Sequence, residues 1–135
     1  MTALFPELAA ALCAALPDQL TRADSFEQLM AEDVRFDFPY APAGLVRRIE
    51  GRAALTDYVR ALAPGFRIDQ IEVVHAHADK DGQHATVEMA LKGVFNGQPY
   101  HQDYVSVLTL TDGRISHYRD YWNPLALPAM TEISA

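Results

Sequence analysis

Cysteine is nearly absent. Cys13 is the only one in 135 residues, so no internal disulfide framework can form, and the usage fits a reducing compartment. Basic residues are scarce too: 11 Lys and Arg against 18 Asp and Glu give a formal net charge of −7 and a pI of about 5.0. Nucleic acid and anionic membranes need a basic footprint, so neither is expected as a partner. No apolar run approaches the roughly 20 residues that span a bilayer. Leu8 to Leu16 has the length of a signal-peptide core, but no Lys or Arg precedes it and Glu7 and Pro6 sit at its edge. It reads as an amphipathic helix, and the protein as cytoplasmic. Repeats, low-complexity tracts and linkers are also missing. What remains is 50% apolar and 21% charged, the composition of one ordinary globular domain over residues 1–135.

The hydrophobic period changes along the chain. Phe5, Leu8, Leu12 and Leu16 follow helical spacing, and Pro17 stops that helix. Ser25 and Gln28 form a capping box ahead of a second short apolar face, Phe26, Leu29 and Met30. Val34, Phe36 and Phe38 then alternate with Arg35 and Asp37 as a half-buried strand. After a loop carrying Pro39 and Pro42, Gly51 precedes a third helix with the stripe Leu55, Tyr58, Val59 and Leu62, ended by Pro64-Gly65. Everything from Phe66 to Trp122 reads as four long strands in an antiparallel meander, with the early strand joining an edge. Helices first and strands after predict an α+β fold: a cone-shaped, curved antiparallel sheet wrapped around N-terminal helices, enclosing an apolar pocket.

The turns set the register. Asn96-Gly97 is a strong type I′ hairpin signal. It puts Phe95 opposite Gln98, Leu91 opposite Gln102, Met89 opposite Tyr104 and Val87 opposite Ser106. The next turn admits two readings. A two-residue Asp112-Gly113 turn puts Asp120 opposite Val105. A three-residue Thr111-Asp112-Gly113 loop puts it opposite Tyr104, and is preferred because its last position wants Gly. One face then reads Val87, Met89, Leu91, Gln102, Tyr104, Ser106, Leu108, Ser116, Tyr118, Asp120 and Trp122, the pattern of a pocket wall with a few polar groups. Tyr104, Tyr118 and Trp122 also suit a plain core with polar tips. The opposite face mixes Glu88, Lys92, His101, Asp103 and Arg119 with Val105, Val107, His117 and Tyr121, as for solvent or a partner subunit.

Asp120 is the sharpest candidate. A carboxylate among Tyr, Trp and Leu loses solvation, its pKa rises, and it becomes a usable acid or base near neutral pH. Arg119, on the opposite strand face, is a poor partner. His75 and His77 share a face and His84 lies across the turn, but no companion ligand has a convincing spacing, so no metal is expected. Cys13 falls within a helix as a small hydrophobe. No nucleophile elbow or phosphate loop is present, so no cofactor is expected.

Two stretches carry a resemblance that covers nearly the whole chain: Ile49-Glu50-Gly51-Arg52 before the third helix, and Asp112-Gly113-Arg114-Ile115 followed by Tyr118-Arg119-Asp120-Tyr121-Trp122-Asn123-Pro124. With the order of elements, they resemble the SnoaL-like, ketosteroid isomerase-related branch of the nuclear transport factor 2-like superfamily. That resemblance implies the cone-shaped fold and puts a catalytic acid at Asp120. In limonene epoxide hydrolases the remaining partners fall on Met89 and Leu91, so that triad is broken here. The ketosteroid isomerase base falls on Phe38 and its oxyanion-hole aspartate near Ser106, so steroid isomerisation is not expected either.

The expected function is therefore an acid-base cyclase or isomerase-type enzyme acting on an apolar cyclic or polyketide-like molecule. Asp120 is its catalytic residue, with Tyr104, Tyr118, Trp122, Ser106, Met89, Leu91, Gln102 and Phe38 around the ligand. The alternatives are a non-catalytic binder or carrier of a small hydrophobic ligand, and an interaction module built on the charged face. A homodimer through the sheet is expected, as relatives of this fold pair that way.

Overall fold

The structure, a computed structural model, describes residues 2–127. Helix α1 (Pro6–Ala15) buries Ala9, Leu12 and Cys13. Phe26–Leu29 forms only a single 3-10 turn, and strand β1 (Met30–Asp37) follows at once. The expected capping box does not form. Ser25 occupies the N-cap, but its Oγ accepts from the Leu4 amide at 2.8 Å and pairs with Glu27, so the turn has no side-chain cap. Strand β2 (Arg48–Glu50) and helix α2 (Arg52–Leu62) come next, then the long strands β3 (Phe66–Ala78), β4 (His84–Phe95), β5 (Gln98–Thr111) and β6 (Arg114–Trp122). Among the described residues no helix is long and apolar enough to cross a membrane.

The six strands form one sheet in the order β2-β1-β6-β5-β4-β3. The meander β3 to β6 is antiparallel as expected. The early strand joins an edge of that meander as expected, but the sheet is not wholly antiparallel. β1 lies between β2 and β6 and runs parallel to β6. The proline loop leads into a further strand, β2, which takes the outer edge. It turns the chain back so that the Phe38 amide donates to the Arg47 carbonyl at 2.9 Å and Arg35 faces Glu50.

Both tight turns have positive φ at their two central residues: 49° and 80° at Asn96-Gly97, 52° and 79° at Asp112-Gly113. They are two-residue hairpins of the type I′ class. The Asn96-Gly97 register is the one expected, with Phe95 opposite Gln98 and Met89 opposite Tyr104. The three-residue loop is corrected, because Thr111 pairs with Arg114. A bulge follows. Leu110 faces Ile115 and Thr109 faces His117, leaving Ser116 as the extra residue. The added residue reverses the alternation once. Asp120 consequently sits opposite Ser106, not Tyr104 or Val105, yet on the same face as both Ser106 and Tyr104. Ile115, not Ser116, is the buried residue at that level. Ser116 is displaced toward the turn, where its Oγ donates to the Thr109 carbonyl at 3.2 Å.

Two more irregularities, at Asp69 and Val74, bend β3. Gly93 on β4 permits the close approach this bending brings. A Cβ there would lie 2.0 Å from the Arg67 carbonyl oxygen. The curled sheet takes α1 against β3 and α2 against β1. The core between them holds Leu12, Leu29, Met30, Val34, Leu55, Val87, Leu108 and Ile115, all fully buried.

Candidate functional site

The curl leaves a cavity of about 360 Å³ between the helices and the concave face, within the size range of small-molecule sites. Each element contributes by its period. Phe36 on β1 and Phe38 just past its end alternate inward, with Met89, Leu91 and Phe95 on β4, Tyr100 and Tyr104 on β5, and Tyr118, Asp120 and Trp122 on β6. Helix α2 adds Leu55, Tyr58, Val59 and Leu62 at helical spacing, and the loop after β1 adds Leu45 and Val46. The wall is aromatic and aliphatic and, among the described residues, contains no basic side chain.

Among the described residues Asp120 is the only carboxylate on this wall. Its Oδ1 is shielded from solvent and has no hydrogen-bond partner among the described residues. Burial pushes its pKa well above the usual carboxylate range, since an ionised group there would give up water without a compensating donor. Four phenols lie within reach of its charge. Tyr118 and Tyr58 are raised by burial first and by Asp120 second. Tyr104 is raised by burial and then by the nearby Tyr100 and Asp120. Tyr100 is raised by burial, against the lowering effect of its bond to Tyr104. These hydroxyls stay protonated across the physiological range and act as neutral donors. Two pairs are formed: Tyr100 and Tyr104 hydroxyls at 3.1 Å, and Tyr118 and Ser106 hydroxyls at 2.7 Å. Phe36 stacks on Tyr118 with ring centroids 4.3 Å apart, which fixes that phenol's plane.

Of the residues singled out in the sequence, Asp120, Tyr104, Tyr118, Trp122, Met89, Leu91 and Phe38 meet at this cavity. Ser106 and Gln102 do not line it. Ser106 is fully buried behind the Tyr118 hydroxyl it bonds. Gln102 clamps the end of β6: its Nε2 donates to the Asn123 carbonyl and its Oε1 accepts from the Asn123 amide, each at 2.9 Å. Tyr58 and Tyr100 were missed. Tyr100 was available from strand alternation, being four residues before Tyr104. Tyr58 was visible only as one member of an apolar helical stripe. His84 is engaged with Asp79, Nδ1 to Oδ2 at 2.9 Å. Among the described residues no group of three His, Cys, Asp or Glu side chains could hold a metal ion.

Known proteins place this geometry in a wider set. Residues 12–118 match the sequence profile of the SnoaL-like domain. The uncharacterised Bacillus subtilis protein YesE is 38% identical over 105 residues, which cover 76% of this chain and 71% of that protein. An uncharacterised PhzA/B-like protein of Pseudomonas aeruginosa is 40% identical over 91 residues, covering 66% of this chain and 64% of the relative. Among solved structures, a Bacillus subtilis protein described as a candidate isomerase superposes with a TM-score of 0.73 at 34% identity, over 93% of this chain and 92% of that one.

Proposed function

The chain belongs to the SnoaL-like domain family, and we propose that it is an acid-base enzyme of cyclase or isomerase type, acting on an apolar cyclic or polyketide-like small molecule. The observation that carries this reading is the unpartnered carboxyl oxygen of Asp120 on the wall of an aromatic cavity. A buried acid without a partner costs stability, and a substrate that exchanges a proton with it supplies a reason for the arrangement. The similarity to a candidate isomerase supports the same class. In its ionised form Asp120 is a strong base, because burial has raised its pKa. It would take a proton from a carbon beside a carbonyl and return it at a second position. Tyr58 and Tyr104, neutral donors on the same cavity, would stabilise the enolate oxygen that develops meanwhile. Among the described residues the cavity wall has no cation to hold a carboxylate or phosphate group, which favours a ligand without an anionic group.

The test needs no knowledge of the natural substrate. α-Tetralone, a bicyclic ketone, is incubated with the protein in deuterium oxide, and exchange of its α-protons is followed by NMR. The enzyme reading expects exchange above the buffer rate, lost in Asp120→Asn. Binding of the tetralone with no exchange above buffer favours the non-catalytic carrier instead.

We also propose a homodimer through the outer sheet face. Val105 is 37% exposed there, beside Tyr121, whose ring meets Tyr40 edge-on at 5.2 Å. Light scattering at micromolar concentration should give twice the chain mass; a monomer mass rejects the dimer.

A further inference from the structure

A second cleft, of about 570 Å³, lies on the other side of the elements that border the cavity. Phe26 faces the cavity while its neighbours Glu27 and Gln28 face the cleft, and on α2 Leu55 and Val59 face the cavity while Arg52 and Thr56 face the cleft. The two spaces share no lining residue.

Three guanidinium groups converge on this cleft, from the segment after α1 (Arg22), the start of α2 (Arg52) and the start of β6 (Arg114). Two are anchored by one nitrogen each. Arg52 Nη1 donates to the Met30 carbonyl at 3.3 Å, and Arg114 Nη1 donates to the Gln28 carbonyl. Each guanidinium has five N–H donors in a rigid fork, so most remain open. Arg22 has no hydrogen bond or ion pair among the described residues. Asp24 and Glu27 also line the cleft, yet neither pairs with any of the three arginines among the described residues. Glu27 Oε1 is taken by the Ser25 hydroxyl. The Thr56 hydroxyl is likewise committed, donating to the Arg52 carbonyl at 2.7 Å. The cleft thus holds three guanidinium groups against two carboxylates, a local excess of one positive charge in a chain whose net charge is −7.

Three guanidinium groups against two carboxylates, none of them paired with each other among the described residues, leave open forks and an excess of positive charge, and planar forks match the oxygens of phosphate or carboxylate two at a time. We propose that this cleft is a binding site for a small oxyanion, a phosphate or carboxylate group, held by Arg22, Arg52 and Arg114. A bound oxyanion joins three segments that are distant in sequence, so it stabilises the folded chain. The site is independent of the chemistry at Asp120 and stands if that reading fails.

The experiment uses the full chain in thermal melts and calorimetric titrations with sodium phosphate, sodium acetate or sodium chloride at matched ionic strength. Phosphate at a few times its Kd should raise the Tm by about 2–4 °C over chloride. Arg22→Ala removes a side chain with no partner, so it should leave the melt in chloride unchanged and weaken phosphate binding at least 10-fold. Arg22→Lys keeps the charge without the fork and should fall between. A shift with acetate as large as with phosphate, again lost in Arg22→Ala, assigns the carboxylate form of the same site. Equal melts in all three salts, or a phosphate affinity unchanged by Arg22→Ala, overturn the proposal.

Discussion

Asp37 and Asp120 lie on neighbouring strands of one sheet and meet opposite conditions. Asp37, on the outer face of β1, has three donors: Arg48 Nε at 2.8 Å on Oδ1, with His117 Nε2 at 2.7 Å and Arg35 Nε at 3.2 Å on Oδ2. Asp120, one residue beyond the Arg119 that pairs with Asp37 across the strands, points inward and leaves Oδ1 without a partner. Partial burial would raise the pKa of Asp37, but the hydrogen bonds from Arg48 and His117 and the charges of Arg48 and Arg35 outweigh it and hold the carboxyl below its ordinary value. At Asp120 burial acts unopposed. The outer carboxylate is satisfied by the protein itself. The inner one is left for something the protein does not supply, which is why it is the candidate for chemistry.

This contrast can be broken in several ways. The largest expected effect is on turnover. Asp120→Asn should reduce tetralone α-proton exchange at least 100-fold, in line with the loss of a general acid or base, whereas Asp37→Asn should leave it within about 2-fold. A residual rate in Asp120→Asn near that of the wild type would remove Asp120 from catalysis.

The next effect tests the hydroxyl pair behind the wall. Ser106→Ala leaves the buried Tyr118 hydroxyl without its 2.7 Å partner and should cost about 1–3 kcal/mol in urea unfolding. Adding Tyr118→Phe removes the stranded group and should recover part of that loss. A double variant as unstable as the two single losses summed would show that the pair does not act as a unit.

The pH dependence of stability separates the two aspartates by sign. Asp120 keeps its proton in the folded chain at pH values where the unfolded chain has released it. Its contribution to stability therefore falls as pH rises from the ordinary carboxylate value toward the raised one. Asp120→Asn should flatten that loss, being as stable as the wild type at acid pH and more stable near neutrality. If Asp120→Asn is instead strongly destabilised at pH 7, Asp120 is a structural partner. Asp37 acts in the other direction. Its stabilisation is present above the ordinary carboxylate value and disappears as pH falls through its lowered pKa. Its arginine partners are 47% and 51% exposed, so screening keeps the effect small. Asp37→Asn should cost about 1 kcal/mol or less at pH 7, and nothing at a pH low enough to protonate Asp37. A cost that persists there would assign the loss to packing rather than charge.

Much of the site was legible because strand alternation and one hairpin carry it. Asn96-Gly97 alone aligns Met89, Leu91 and Tyr104, since a type I′ turn admits a single register. Asp120 reached the right face by a different route from the one read. The three-residue loop and the two-residue turn followed by a bulge give the same parity, so the face agreed while the opposing residue did not. Asp112-Gly113 is as good a type I′ signal as Asn96-Gly97, and the preference for a longer loop overlooked it. The bulge at Ser116 has no mark in the sequence. Its hydrogen bonds to Thr109 and Thr111 form only after the strands have paired.

The sequence by itself determined the first helix and the one before the meander, the four-strand meander, the inward set on β4 and β5, and the presence of one carboxylate among aromatic residues. These follow from local periodicity, turn chemistry and the cost of exposing apolar surface. The tertiary structure decided the rest: that β1 runs parallel beside β6, that Tyr58 on α2 joins the cavity, that Ser106 and Gln102 brace the wall instead of lining the cavity, and that three arginines 30 and 62 residues apart in order converge on one cleft. Each depends on which distant segments meet. That is set by how the bulged sheet curls and by which face of each helix it accepts, a balance of packing over the whole chain that no local window contains.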